Sequence, residues 1–265
     1  MRKVLKPVSR SFRTRAFFLI LVWILLFASA LSLLSILLTT YLANPQAQSV
    51  VSLSWSGYVA ASSFSIPQPE VLAISASWNI PHVNASLTDA YSSAWIGIGG
   101  QFDKSLIQLG TEHDYDFTTG QATYNAWYEL LPAYAVDMPI NISEGDTVTA
   151  SISLINSDTN QWNIQLIDIT NGQSFNQNFL YNSTRLSGEW IVERPTLNNQ
   201  ISTLSNFGSI TFTSAYVNIN HDVKPLGKSP FSQIHMTDRQ NTQLTSVSSI
   251  SADATSFIVS YSAIF

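Results

Sequence analysis

After residue 47 the chain is a succession of short apolar or alternating runs, each cut off by Gly, Pro, Asn or Asp: SVVSLSWSGYVAA, EVLAISASWNIP, SAWIGIGG, SLIQLGTEH, ATYNAWYELLP, DTVTASISLI, QWNIQLIDIT, EWIVERP, SITFTSAYVNI and SFIVSYSAIF. The runs are rich in β-branched and aromatic residues and too short for helices, and none sustains a 3.6-residue apolar period. This pattern predicts an all-β chain folded as a sandwich or barrel. The chain has no cysteine, so disulfides and thiol chemistry are excluded. The core must rest on apolar packing and sheet hydrogen bonds.

The amino-terminal part reads differently. Arg2, Lys3, Lys6, Arg10, Arg13 and Arg15 precede an uncharged apolar run over 16–42. As a helix that run would be about 40 Å long, more than the ~30 Å hydrocarbon core of a bilayer. Ala28-Ser29-Ala30 fits a small-x-small cleavage site, but the sequence stays apolar beyond it, which favours an uncleaved signal anchor over a signal peptide. The expected organisation is a basic cytoplasmic segment over 1–15, a transmembrane helix over 16–42, a linker over 43–50 and one β domain over 51–265. The positive flank places that domain outside the cell, membrane-anchored or, if cleavage occurs, secreted.

All 17 Asp and Glu but only six of the 12 Lys and Arg lie beyond the apolar run, leaving the exported part at −11. Nucleic acid is an unsuitable partner for such a surface. A surface with few permanent cations carries little self-repulsion once its carboxylates are protonated, which suits an acidic medium. Sequons at Asn84, Asn141 and Asn182 are compatible with an exported surface.

Common hydrolytic devices are missing. There is no Gly-x-Ser-x-Gly elbow, no His-Glu-x-x-His helix and no Asp-Thr-Gly or Asp-Ser-Gly, and the four histidines are scattered. What remains is polar residues on aromatic-rich strands. In SGEWIVERPT, alternation puts Glu189, Ile191 and Glu193 on one face and Trp190, Val192 and Arg194 on the other. Glu189 and Glu193 stand about 13 Å apart along the strand, too far to flank one bond. In SLIQLGTEHDYDF, Leu106, Gln108, Gly110 and Glu112 share a face. In TYNAWYELLP, Asn125, Trp127, Glu129 and Leu131 share one face, and Tyr124, Ala126, Tyr128 and Leu130 the other. A sheet lined this way could hold an extended peptide or a sugar.

Seven fragments in order carry a resemblance: Trp95–Gly100, Ile107–Gly110, Tyr124–Glu129, Gly145-Asp146, Gly172–Ser174, Glu189–Glu193 and Asn206–Phe212. From Ser54 to the closing SSISADATSFIVSY the chain resembles the glutamic peptidases, also called eqolisins. The resemblance implies an antiparallel two-sheet sandwich of lectin type and an acid endopeptidase with a catalytic glutamine and glutamate. By motif position these are Gln108 and Glu189. Trp95, Glu112, Trp127, Tyr128 and Glu129 are the candidates for lining or supporting the cleft, with core packing an equal reading for each aromatic. Protein or peptide substrates are implied, and no metal or cofactor.

A glutamate near its ordinary value of about 4.3 would stay partly ionised in mild acid, where a histidine base would be protonated. Two positions depart from the family pattern. Gly99 stands where an Asp is common, and Glu112 stands in place of another Asp; Asp103, Asp114 or Asp116 is near enough in sequence to compensate. Leu130 and Leu131 replace aromatics. Two other readings stay open: a non-catalytic carbohydrate-binding module, and a glycosidase pairing Glu189 with Glu112 or Glu129.

Overall fold

The computed structural model describes residues 26–32, 35 and 49–262. Met1–Pro45 and Gln46–Phe265 form separate compact units. In the first, residues 26–32 and 35 are helical; the rest of the membrane helix expected over 16–42 lies outside the described residues, as does most of the linker over 43–50. Among the described residues no helix is long and apolar enough to cross a membrane.

The second unit is built of strands. In chain order they are β1 (Ser49–Ser52), β2 (Trp55–Ala60), β3 (Val71–Asn79), β4 (Ser93–Gly99), β5 (Leu106–Asp116) and β6 (Gln121–Leu130). There follow β7 (Val136–Asp137), β8 (Thr147–Asn156), β9 (Gln161–Asp168), β10 (Ser174–Leu180), β11 (Gly188–Glu193) and β12 (Thr196–Leu197). The last six are β13 (Gln200–Ile201), β14 (Ser209–Ile219), β15 (Asp222–Pro225), β16 (Phe231–Met236), β17 (Thr245–Val247) and β18 (Phe257–Tyr261). One large sheet runs β1-β16-β2-β11-β4-β5-β6-β7, a second β10-β9-β8-β3-β14-β18-β17 with β15 beside β14, and β12 and β13 form a small two-stranded sheet. The pairings are antiparallel except for β1, which lies parallel to β16.

Between the two sheets lies the main core, including Ile96, Ile98, Leu109, Trp190 and Val192 from the first sheet and Trp78, Trp162, Phe212 and Phe257 from the second. Trp190 ties the sheets together, its Nε1 donating to the Ser75 carbonyl at 3.0 Å. Alternation then obliges Glu189, Ile191 and Glu193 to project from the outer face of the first sheet. A smaller apolar cluster covers that face: Val59, Trp95, Leu106, Trp127, Ile191 and Ile234, with Phe64 against its edge. The sheet that separates two apolar layers explains why β4 is buried along its whole length.

Candidate active site

The outer face is organised in rows, because residues in antiparallel register share a face. One row crosses five strands: Val59 on β2, Glu189 on β11, Gly97 on β4, Gln108 on β5 and Glu129 on β6. Gln108 and Glu189, remote in sequence, therefore stand two strands apart, about 9.5 Å between backbones, and point the same way. The intervening residue has no side chain. A Cβ on Gly97 would lie 2.8 Å from Leu106 Cδ1, 3.0 Å from Trp95 Cζ3 and 3.3 Å from Gln108 Cβ. Gly97→Ala is expected to cost about 1–3 kcal/mol in stability through overpacking, and to lower activity more than a mere loss of folded protein accounts for, because the methyl enters the space between the two functional groups. Denaturant unfolding beside kcat/KM for the folded fraction checks this.

Glu189 is fully buried. Neither carboxyl oxygen closes a hydrogen bond of full geometry. Burial holds its carboxyl well above the ordinary carboxylate range; the nearby Ser187 hydroxyl and Gln101 backbone offset part of this, and Asp103 adds to it. The ordinary value expected from the sequence is corrected by burial, since Glu189 is fully enclosed, with Val59 beside it on β2. Gln108 is 5 % exposed. Its Nε2 donates to Glu129 Oε2 at 2.6 Å, and its Oε1 is buried with no hydrogen-bond partner. Burial also raises the Glu129 carboxyl, with the Gln108 bond acting against it.

The next row carries the aromatics: Ile191, Trp95, Gly110 and Trp127. Trp95 is fully buried. It meets Trp55 edge-on at 5.1 Å and donates through Nε1 to Glu193 Oε2 at 2.8 Å; it packs the floor of the face. Trp127 is nearly buried, and its Nε1 has no partner. A third row holds Glu193, Ser93, Glu112 and Asn125. Glu193 is partly exposed, but its carboxyl sits against Trp55 and Trp95, and burial pushes it up to about 7. Glu112 is raised by burial as well, partly offset by Asn125.

Of the residues expected in the cleft, Gln108, Glu189, Trp95, Glu112, Trp127 and Glu129 share the outer face. Tyr128 does not. It opposes Leu109 on the inner face, stacks on Phe175 at 5.4 Å and, half-buried, packs against the main core. Glu193, which strand spacing separates from Glu189, proves to be the anchor of Trp95. Gly99 takes φ +95°, and a Cβ there would lie 2.1 Å from the Ser105 carbonyl oxygen, so an Asp does not fit this backbone. Asp103, on the following loop, is the acid that acts on Glu189. Asp114 is turned toward the Ser92 amide, and Asp116 caps its own turn through Thr118 and Thr119. Glu129 stands three strands from Glu189, about 14 Å by strand spacing, and is committed to Gln108. That is a poor arrangement for two carboxylates on one glycosidic bond.

Comparison with known proteins bears on the family and the fold. Aspergillopepsin-2 of Aspergillus niger is 35% identical over 129 residues, which cover 47% of this chain and 45% of that protein. Scytalidopepsin B of Scytalidium lignicola is 31% identical over 151 residues, 55% of this chain and 53% of that protein. The chain thus spans about half the length of the curated relatives it matches. The fold is that of scytalido-glutamic peptidase, solved with a transition state analog inhibitor, at a TM-score of 0.65 and 23% identity over 80% of this chain and 99% of that one. Aspergilloglutamic peptidase from Aspergillus niger superposes at a TM-score of 0.58 with 28% identity, covering 65% of this chain and 99% of that one. The Peptidase A4 family model matches residues 53–261, nearly the whole strand-built unit. The chain belongs to the Peptidase A4 family.

Proposed function

We propose that this protein is an endopeptidase active in acid, which hydrolyses protein or peptide substrates with a water activated by Glu189 and Gln108. The observation that carries the reading is the shared row, in which a carboxyl and a carboxamide project from one face with only Gly97 between them. Ionised Glu189 takes a proton from the water as its oxygen bonds to the scissile carbonyl carbon. The carbonyl electrons pass to oxygen, where the Gln108 N–H donates to the developing negative charge. Protonated Glu189 then gives its proton to the amide nitrogen as the C–N bond breaks. Burial makes the ionised Glu189 a stronger base and moves its ionisation toward weaker acid. The acid limb of the rate profile is accordingly expected above the ordinary glutamate value of 4.5.

The test is cleavage of a denatured protein from pH 3 to pH 7 by the wild type and by Glu189→Gln. Cleavage lost in the variant supports the reading. Equal cleavage by both overturns it, and glycan retention with no cleavage by the wild type favours a carbohydrate-binding module. The 16–42 run further supports an anchor that holds this unit outside the cell. An anchored chain is expected to stay with membranes after alkaline carbonate washing, and release into the wash contradicts the anchor.

A further inference from the structure

The Gln108 carboxamide has opposite chemistry at its two ends, and only one orientation serves the proposed reaction. An ionised carboxylate accepts hydrogen bonds and cannot donate. With Glu129 ionised, the amide must turn Nε2 toward it, as the 2.6 Å bond records. That leaves Oε1 buried, unpaired and away from Glu129. An unpaired buried carbonyl costs about 1–3 kcal/mol, and bulk water cannot satisfy it at 5 % exposure. The terminal torsion of glutamine is broad and roughly two-fold, so exchanging the two ends needs no backbone movement.

We propose that Glu129 is the positioning residue for Gln108 and that its protonation selects which end of the carboxamide faces the substrate, an inference that rests on the peptidase reading. Ionised Glu129 holds Nε2 to itself and presents Oε1 to the row shared with Glu189. Protonated Glu129 donates its O–H to Oε1, satisfies the orphaned oxygen and turns Nε2 toward the space over Gly97, where the developing oxyanion needs a donor. The acids that share a charge interaction with Glu129 are Glu112 on β5 and Glu193 on β11, with Asp137 on β7 acting on Glu112. Burial favours the protonated form of Glu129 in mild acid, with the Gln108 bond acting against it. The productive enzyme then carries one proton on the pair, with Glu189 ionised and Glu129 protonated.

The experiment uses the full chain, labelled with nitrogen-15 in detergent micelles, with the Gln108 side-chain NH2 signal assigned by its loss in Gln108→Ala. In the wild type the signal is expected to shift with pH through one titration that is absent in Glu129→Gln, whose amide can donate to Oε1 at every pH. A wild-type signal that does not titrate, or an identical titration in Glu129→Gln, overturns the proposal. Kinetics give a second reading. The alkaline limb of kcat is expected to move up by about one pH unit or more in Glu129→Gln, with KM changed less than about threefold. If Glu129 merely added negative charge, its removal would ease ionisation of the remaining acids and move the limb down; an unmoved or lowered limb overturns the proposal. Should Glu129→Gln not fold, Glu129→Asp is expected to displace the Gln108 titration, and an unchanged titration overturns it. A wild type without peptide cleavage defeats the peptidase reading alone, because the NH2 titration still decides what holds Gln108.

Discussion

Unfolding free energy is expected to peak near pH 4 to 5 and to fall by several kcal/mol toward pH 8, so that this fold is weakest where most secreted domains are strongest. Two sets of buried groups set that curve. Glu193 is raised to about 7 and Asp114 to about 8, both by burial, and burial raises Glu189, Glu112 and Glu129 in the same direction. Each of these groups holds its proton more tightly in the folded chain than in the unfolded one. Its contribution is complete below the ordinary carboxylate values and is lost as pH rises through the folded value. For Glu193 alone the loss is on the order of 2–3 kcal/mol, allowing for screening at its partly exposed position.

His113 works in the opposite sense. It is fully buried, its Nε2 lies 2.8 Å from Thr111 Oγ1, and its Nδ1 has no partner. Burial lowers it from 6.5 to about 3. The unfolded chain therefore takes up this proton first, and stability is lost as pH falls from 6.5 through about 3, by an amount on the order of 5 kcal/mol. Several acids oppose one histidine above pH 4.5, so the acids win there; below it the histidine acts alone with a few capping aspartates. Denaturant unfolding at pH 3, 4.5, 6 and 8 checks the curve. A stability that rises steadily from pH 4.5 to 8 would contradict the burial of these carboxyls.

The second large effect is on turnover. Glu189→Gln is expected to lower kcat/KM by about 10²- to 10⁴-fold, the usual range for removal of a general acid–base group. Gln108→Ala is expected to cost about 10²- to 10³-fold, as loss of one oxyanion donor does elsewhere. Stability distinguishes lost chemistry from lost structure. Gln at position 189 has no charge to bury, so the variant is expected to match the wild type at pH 4 and to be more stable at pH 7. A variant that is inactive and also less stable at pH 7 would point to structural damage.

The strands around the site were legible because their apolar residues alternate. Trp190 and Val192 face the core, and Glu189 faces outward, as the pattern of EWIVERP requires. The same alternation puts Tyr128 on the face opposite Trp127, and there it packs against the core beside Leu109, away from the row of Gln108 and Glu189. Strands β10 and β16 carry too many polar, uncharged residues to announce themselves, as SFNQNFL and FSQIHM show. Their pairing with β9 and β2 decides their conformation. The parallel β1–β16 contact joins Ser49–Ser52 to Gln233–Met236, far apart in the chain, and no local signal encodes it.

The candidate site divides in the same way. The identities of Gln108 and Glu189 came from motif order, but the row that unites them is set by the registers of β11 on β4 and β4 on β5, which arise from pairing remote in sequence. Burial of Glu189 was not legible either. Glu189 sits between Val59 on β2 and Gly97 on β4, with the backbone of the Gln101 loop nearby, none of which adjoins residue 189 in the chain. The loop's unusual course follows from Gly99, where positive φ and the Ser105 carbonyl leave no room for a side chain.

The proposed catalysis requires Gln108 and Glu189 to act together on a single water and a single peptide bond. The most direct measurement is kcat/KM for an oligopeptide substrate with the wild type, Gln108→Ala, Glu189→Gln and the double variant, all folded at the assay pH. Groups that act as a unit give strongly non-additive losses, and the double variant is predicted to be no slower than Glu189→Gln by more than about threefold. Near-normal turnover in either single variant, or losses that simply multiply, would contradict the shared site.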